Sequence, residues 1–181
     1  MAWLSHAICI SNMDVLIREA KPSDAVQIIA YMKRLSEEPH SNIEISPGEF
    51  DHTPEEEAGF LADFAASKNS VFLVAEVDGK IVGLLTCKGS NRKAIRHAVH
   101  LGMSVDQGWR GQGIGNQLMA RAIEWAKGTG TVTRIELALF ERNKTALHLY
   151  EKFGFEVEGK RRNAGFRDGA YLDGLIMALL L

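Results

Sequence analysis

The chain reads as an α/β domain, and three observations predict this. Strand-like and amphipathic, helix-like segments alternate along its length. The pair Asp78-Gly79 separates two apolar runs, the pattern of a two-residue hairpin. An apolar run ending at Val105 is followed by Arg110-Gly111-Gln112-Gly113-Ile114-Gly115 and then by an amphipathic stretch, Asn116 to Lys127. That is strand, glycine-rich turn, helix. With 181 residues, 46% of them apolar and 24% charged, the chain is long enough to bury a sizeable core and ordinary in composition.

The elements follow in order. Val15 to Ala20 is the first strand. Ser23 is placed to cap a helix to about Ser36, with Ile28, Ile29, Met32 and Leu35 on one face. Glu37 to His52 is polar and contains Pro, so it reads as a loop. Thr53-Pro54-Glu55-Glu56 starts a second helix, to about Ala66, with Thr53 and Glu56 as a capping box and Pro54 at the first position. Val71–Val77 and Lys80–Lys88 flank the hairpin turn. Ile95 to Val105 is the next strand, followed by the glycine turn and its helix. Arg134 to Phe140 is a strand, Asn143 caps a short helix to Phe153, and Phe155–Lys160 and Tyr171–Ala178 are the last strands. Residues 1–13 read as an N-terminal extension ahead of a single domain, 14–181.

Composition removes several functions. Net charge is −2, and no basic block exceeds Lys160-Arg161-Arg162, so a nucleic-acid surface is not expected. No apolar run reaches membrane-spanning length. The first ten residues lack a basic segment and an A-x-A site, which argues against a signal peptide. Cys9 and Cys87 have no metal-ligand spacing, and such sparse cysteine suits a reducing cytoplasm. No metal is expected.

The glycine turn is a candidate diphosphate cradle. Glycine lets the backbone bend and approach a ligand closely, and the first N–H groups of the following helix are free to meet an anion. Arg110 adds a forked cation. No Lys follows as a Walker loop requires, and the glycine spacing and late position differ from a dinucleotide fingerprint. The spacing R-x-x-G-x-G, on Arg110, Gly113 and Gly115, resembles the acyl-CoA pyrophosphate loop of the GNAT acetyltransferase superfamily. Downstream, Asn143-Lys144-Thr145-Ala146-Leu147-His148-Leu149-Tyr150-Glu151-Lys152-Phe153-Gly154-Phe155 follows a strand candidate and resembles that superfamily's second signature. The resemblance runs from about Val71 to Leu181.

The resemblance implies a GNAT fold: a mixed, mostly antiparallel sheet with flanking helices, splayed into a V between the strands ending at Val105 and Phe140. It implies acetyl-CoA as acyl donor. The pantetheine arm would pair with the backbone of Met103, Ser104 and Val105, as an added strand does. Arg110, Gly111, Gln112, Gly113, Ile114 and Gly115 would hold the diphosphate, and Asn143 and Ala146 would border the arm. Tyr150 occupies the position whose hydroxyl serves the CoA sulfur; a phenol with a pKa near 10 stays protonated and can donate to a thiolate. Phe153 and Phe155 are most simply core.

Acetyl transfer to an amine also needs a base. No Asp or Glu lies between Asn91 and Met103, but His97 and His100 do, and imidazole accepts a proton near neutrality. In a regular strand the two face opposite sides, His97 with Met103 and Val105. His100 is placed slightly ahead, Glu136 is a further candidate, and water alone is another. The expected acceptor is a primary amine of a small molecule or peptide. Nine acids and no Lys or Arg stand between Leu35 and Ser67 (Glu37, Glu38, Glu44, Glu49, Asp51, Glu55, Glu56, Glu57, Asp63), which would steer a cationic amine. Acids at Glu55–Glu57 also suit a helix start regardless of substrate. A non-catalytic acyl-CoA-sensing module is the alternative, and a homodimer through the late strands is a further implication of the resemblance.

Overall fold

A computed structural model describes residues 14–181, so the expected N-terminal extension lies outside the described residues. The elements are β1 (Leu16–Glu19), α1 (Ala25–Glu37), α2 (Pro54–Ala66), β2 (Val71–Val77), β3 (Lys80–Gly89), β4 (Ala98–Val105), α3 (Ile114–Gly128), β5 (Arg134–Phe140), α4 (Lys144–Lys152), β6 (Glu156–Arg167) and β7 (Ala170–Leu180). Seven strands form one sheet in the order β1-β2-β3-β4-β5-β7-β6. Every neighbouring pair is antiparallel except β4 with β5. The mixed, mostly antiparallel sheet with flanking helices is therefore present.

Strand alternation sends side chains to two cores. Leu73, Ala75, Leu85, Cys87, Val99, Leu101, Ile135, Leu137 and Met177 meet α3 residues Leu118, Met119 and Ala122 on one face. Phe72, Val74, Ile81 and Leu84 meet Ile28, Tyr31, Leu35, Leu61 and Phe64 of α1 and α2 on the other. Each fully buried large side chain contributes about 1.5–3 kcal/mol of transfer free energy. α3 and α4 thus cover one face, and α1 and α2 the opposite face.

Most local signals act as read. Thr53 Oγ1 accepts from Glu56 N at 3.2 Å and Glu56 Oε2 accepts from Thr53 N at 2.8 Å, the expected box. Asp78-Gly79 makes the β2–β3 turn, with both φ angles positive. Three expectations are corrected. Ser23 does not cap α1: Pro22–Asp24 forms a 3-10 turn, and the Asp24 carboxylate accepts from Lys21 N at 2.8 Å while pairing with Arg18 at 2.7 Å. β4 begins at Ala98, because Ile95–His97 belong to a turn closed by Ile95 N to Arg92 O and Ala98 N to Ile95 O. β6 and β7 run longer than expected and meet at Asp168-Gly169, a second turn with two positive φ angles.

Candidate active site

The sheet is incomplete in its middle. β4 and β5 pair only at Ala98–Arg134, Val99–Ile135 and His100–Glu136, then part. β3 lines the other side of β4 as far as Val105, and β7 lines β5 as far as Phe140. Leu101 to Val105 therefore present a strand edge with no partner strand toward β5 among the described residues. An unpaired edge inside a sheet is a place for an extended ligand to add as a strand. Met103 and Val105 also pack side chains against the α3-side core, so backbone and side chain serve different ends.

The glycine turn stands at the end of that edge. Gly111 and Gly113 have φ of +76° and +86°, and Gly113 is the N-cap of α3. Left-handed backbone at a cap is where glycine is favoured, and the first amides of α3 that follow it have no acceptor within the helix. α3 starts at Ile114, two residues before the amphipathic stretch suggests. A Cβ on Gly115 would stand 3.3 Å from Leu149 Cδ2 and 3.8 Å from Met103 Cε, so turn, β4 edge and α4 converge at that point. Gln112 Nε2 donates to Gly108 O at 3.1 Å and braces the turn from within. Arg110 lies along the edge: its Nε donates to Val105 O at 2.8 Å, and its guanidinium pairs with Glu38, just past the C-terminus of α1.

α4 completes this side. Asn143 Oδ1 accepts from Ala146 N at 3.2 Å and caps the helix as read. Ala146 packs partly buried against the α3-side core. Tyr150 is buried, its ring 5.7 Å from that of Phe155. Burial pushes its phenol up to about 12, so it keeps its proton throughout the neutral range. Its hydroxyl has no hydrogen-bond partner among the described residues, and no fully sealed side-chain oxygen there lacks one, so the hydroxyl reaches open space.

The opposite face carries the candidate bases. His100 and Glu136 are the last residues paired before the strands part, on the same face as Ser104, whose Oγ accepts from the buried Tyr31 hydroxyl of α1 at 3.0 Å. Burial raises the Tyr31 phenol and the Ser104 contact only partly offsets it. The expectation that His97 faces away from His100 is overturned. His97 sits in the turn before β4, its carbonyl accepting from Thr133 N (2.9 Å) and Arg134 N (3.2 Å). His97 and His100 both line one groove of about 490 Å³ with Lys88, Arg134 and Glu136. Glu136 is engaged by Arg134 Nε at 3.1 Å. Neither imidazole makes a side-chain hydrogen bond among the described residues.

A second cavity, of about 300 Å³, lies between the α1–α2 connection and the β6–β7 hairpin, lined among others by Ile43, Glu44, Phe140, Arg161, Gly165 and Phe166. Arg167 donates to Ser41 O (3.1 Å) and Ile45 O (2.8 Å), and Arg142 donates to Asn42 Oδ1 (2.9 Å) and Ser41 O (3.0 Å), fastening the connection in place. Several of the nine acids are used by the fold: Glu38 on Arg110, buried Glu57 on His52 at 2.7 Å, Glu56 in the box, and Glu49 on Ser46 N at 2.7 Å. Glu44 alone of the nine lines this cavity. The sequence drew attention to Arg161 only as part of a basic trio. The overlooked signal was Asp168-Gly169, the same dipeptide as at the first hairpin, which would have extended β6 past Lys160.

A family model for acetyltransferases of the GNAT family matches residues 31–155, more than half of the chain. The chain belongs to the GNAT family. Acetyl-CoA is the acyl donor of that family. Among solved structures, a GNAT-family acetyltransferase from Streptococcus pneumoniae superposes with a TM-score of 0.89 at 33% identity, over 93% of this chain and 99% of that one. An L-amino acid N-acetyltransferase of Escherichia coli is 39% identical over 106 residues, 59% of this chain and 65% of the relative. The alanine N-acetyltransferase of ribosomal protein uS5 from the same organism is 32% identical over 83 residues, 46% of this chain and 43% of the relative. This GNAT chain thus spans less than two thirds of the curated relatives it matches. No helix among its described residues is long and apolar enough to cross a membrane.

Proposed function

We propose that this chain transfers the acetyl group of acetyl-CoA directly to a primary amine of a small molecule or peptide. The observation that carries the reading is the open edge of β4, Leu101 to Val105, followed by the glycine turn that caps α3 and approached there by α4, the helix that carries the protonated Tyr150. The names of the relatives, which act on amino-acid or protein amines, support the acceptor class. No observation favours a non-catalytic sensor.

In this reading the backbone of Met103, Ser104 and Val105 takes the pantetheine amides, beside Asn143 and Ala146. The amides of Gly111 to Gly115 take the diphosphate at the N-terminus of α3, with Gln112 and Ile114 contributing backbone rather than side chain. His100 accepts the amine proton at the apex of the opening, with His97 in the same groove as the alternative acceptor. The amine nitrogen bonds the carbonyl carbon, the carbon–sulfur bond breaks, and Tyr150 gives its proton to the departing sulfur. A cytoplasmic setting is part of the proposal, as is a homodimer formed through the outer edge of β6, which has no partner strand among the described residues.

The test is release of free thiol from acetyl-CoA across a panel of amines. His100→Gln should cut kcat by about 10²-fold and leave the acetyl-CoA Kd near its wild-type value. An unchanged kcat in His100→Gln together with a loss in His97→Gln would move the role to His97. Absence of thiol release with every amine, from folded protein, would sink the proposal.

Arg110 adds a second expected result. To meet a diphosphate its guanidinium must leave Glu38. Glu38→Gln removes both the competitor and a negative charge beside the cradle, so calorimetry should show acetyl-CoA binding about two- to fivefold tighter. Weaker binding would mean instead that Glu38 holds Arg110 in its working position.

A further inference from the structure

A cation without a carboxylate stands beside the proposed base. Lys88 and His100 are direct partners across β3 and β4, and His100 is in turn the partner of Glu136 on β5. The three form one row on the face that carries α1 and α2, with a cation at one end and a carboxylate at the other. The row is also where the sheet opens. Beyond it, from Leu101 on, runs the β4 edge that has no partner strand among the described residues. Behind it, toward Ala98 and Arg134, lies the groove of about 490 Å³ that Lys88, His100 and Glu136 all line.

The fold uses the charges at the two ends differently. Arg134 is held by Glu136 at 3.1 Å and by Glu158 at 2.8 Å. The other oxygen of Glu136 has no partner among the described residues. Lys88 has neither a hydrogen bond nor a carboxylate there. Its ammonium stands 5.4 Å from the centre of the Phe60 ring, whose face positions a cation without neutralising it. The surroundings at that end are positive. No Asp or Glu lies between Asp78 and Asp106. The turn that contributes Ser90, Ile95 and His97 to the groove also carries Arg92, Lys93 and Arg96, all exposed and none in an ion pair among the described residues. The wall itself is fixed: buried Asn69 holds Ser90 O and Arg96 O, and a Cβ on Gly89 would stand 2.4 Å from Asn69 O.

We infer that Lys88 is a specificity-determining residue, receiving the carboxylate of an α-amino acid whose amine lies at His100 and Glu136 and is the acetyl acceptor. This rests on the acetyltransferase reading above, with its base at His100, and adds the acceptor's second anchor. An α-amino acid carries amine and carboxylate on one carbon. Cross-strand partners hold their Cβ atoms about 4.5–5.5 Å apart, and the lysine stem is long and flexible, so one small molecule touches both Lys88 and His100. Its dipole matches the row: the carboxylate meets the positive end, and the amine meets the end where Glu136 attracts it and His100 takes its proton. An amine without the carboxyl group loses the charged partner, and discrimination by a missing hydrogen-bonding group is strong.

The experiment compares alanine, serine, leucine and phenylalanine with their amides and with the corresponding amines that lack the carboxyl group, by thiol release at saturating acetyl-CoA. The wild-type protein should prefer at least one of these acids over both its analogues by about tenfold or more in kcat/KM. For that acid Lys88→Met, which keeps a stem against Phe60, should raise KM about 10- to 100-fold with kcat and the acetyl-CoA Kd nearly unchanged, and so erase the preference. Lys88→Arg should restore part of it. Lys93→Met removes a charge from the turn without touching the row and should change the same KM by less than about threefold. An equal rise in KM in Lys93→Met would assign the effect to the field of the turn and overturn the role of Lys88. Equal loss toward acid and analogues in Lys88→Met, or no loss, would overturn it as well. Turnover of other amines with none of the four acids would overturn the inference while leaving the acetyltransferase reading standing, and no turnover of any amine would sink that reading first.

Discussion

Tyr150→Phe should lower kcat about 10²-fold while leaving the acetyl-CoA Kd within about twofold. The substitution removes one oxygen and keeps the ring on Phe155, and that oxygen has no partner among the described residues to orphan. Folding should therefore be nearly unaffected, and the loss should appear in the chemical step. The pH profile separates this role from others. Burial holds the phenol up to about 12. A raised pKa means that the neutral form persists as pH climbs, so Tyr150 remains a proton donor and no alkaline limb from it should appear below about pH 11. An equal loss in kcat and in acetyl-CoA affinity would show instead that Tyr150 only shapes the pocket.

Gly113→Ala should damage cosubstrate binding more than it damages the fold. At φ +86° an L side chain costs about 1–2 kcal/mol. Nothing lies within 4 Å of the added Cβ, so the cost is conformational rather than a clash. The melting temperature should fall by about 2–8 °C. The acetyl-CoA Kd, measured by calorimetry, should rise about tenfold or more, because relief of the strain turns the first α3 amides away from the place where they converge. Gly108→Ala is the control: its φ is not in the left-handed range and its Cβ also meets nothing, so both quantities should stay put. A lowered melting temperature with unchanged Kd would remove the turn from the binding site.

These two sites were legible in the sequence because their signals are local. A glycine turn between strand and helix, and an Asn cap three residues before the amide it satisfies, are written in consecutive residues. The two histidines were harder. Ile95 imitates the start of a strand, yet it is 48% exposed and belongs to a turn. That turn is held from a distance by buried Asn69, whose Nδ2 donates to Ser90 O and Arg96 O, both at 3.0 Å. No periodicity reveals a side chain reaching across 21 and 27 residues. The Arg161 cavity is hidden for the same reason, since its walls meet through Arg167 and Ser41, 126 positions apart. The acid-rich stretch shows the opposite limit. Composition counts nine carboxylates, but only the fold reveals which are committed to Arg110, His52, Thr53 and Ser46.

The gap between β4 and β5 bears on how a catalytic cycle would end. In the proposed arrangement the pantetheine arm supplies the missing strand, and its amides are the same before and after the acetyl group departs. Backbone grip of that kind cannot tell donor from spent carrier. Free CoA should then be held nearly as well as acetyl-CoA, and the ratio of the two, rather than the amount of either, would set how fast the protein works. The step that restores the open sheet is the withdrawal of a strand, and with a fast acceptor that withdrawal sets the pace of turnover.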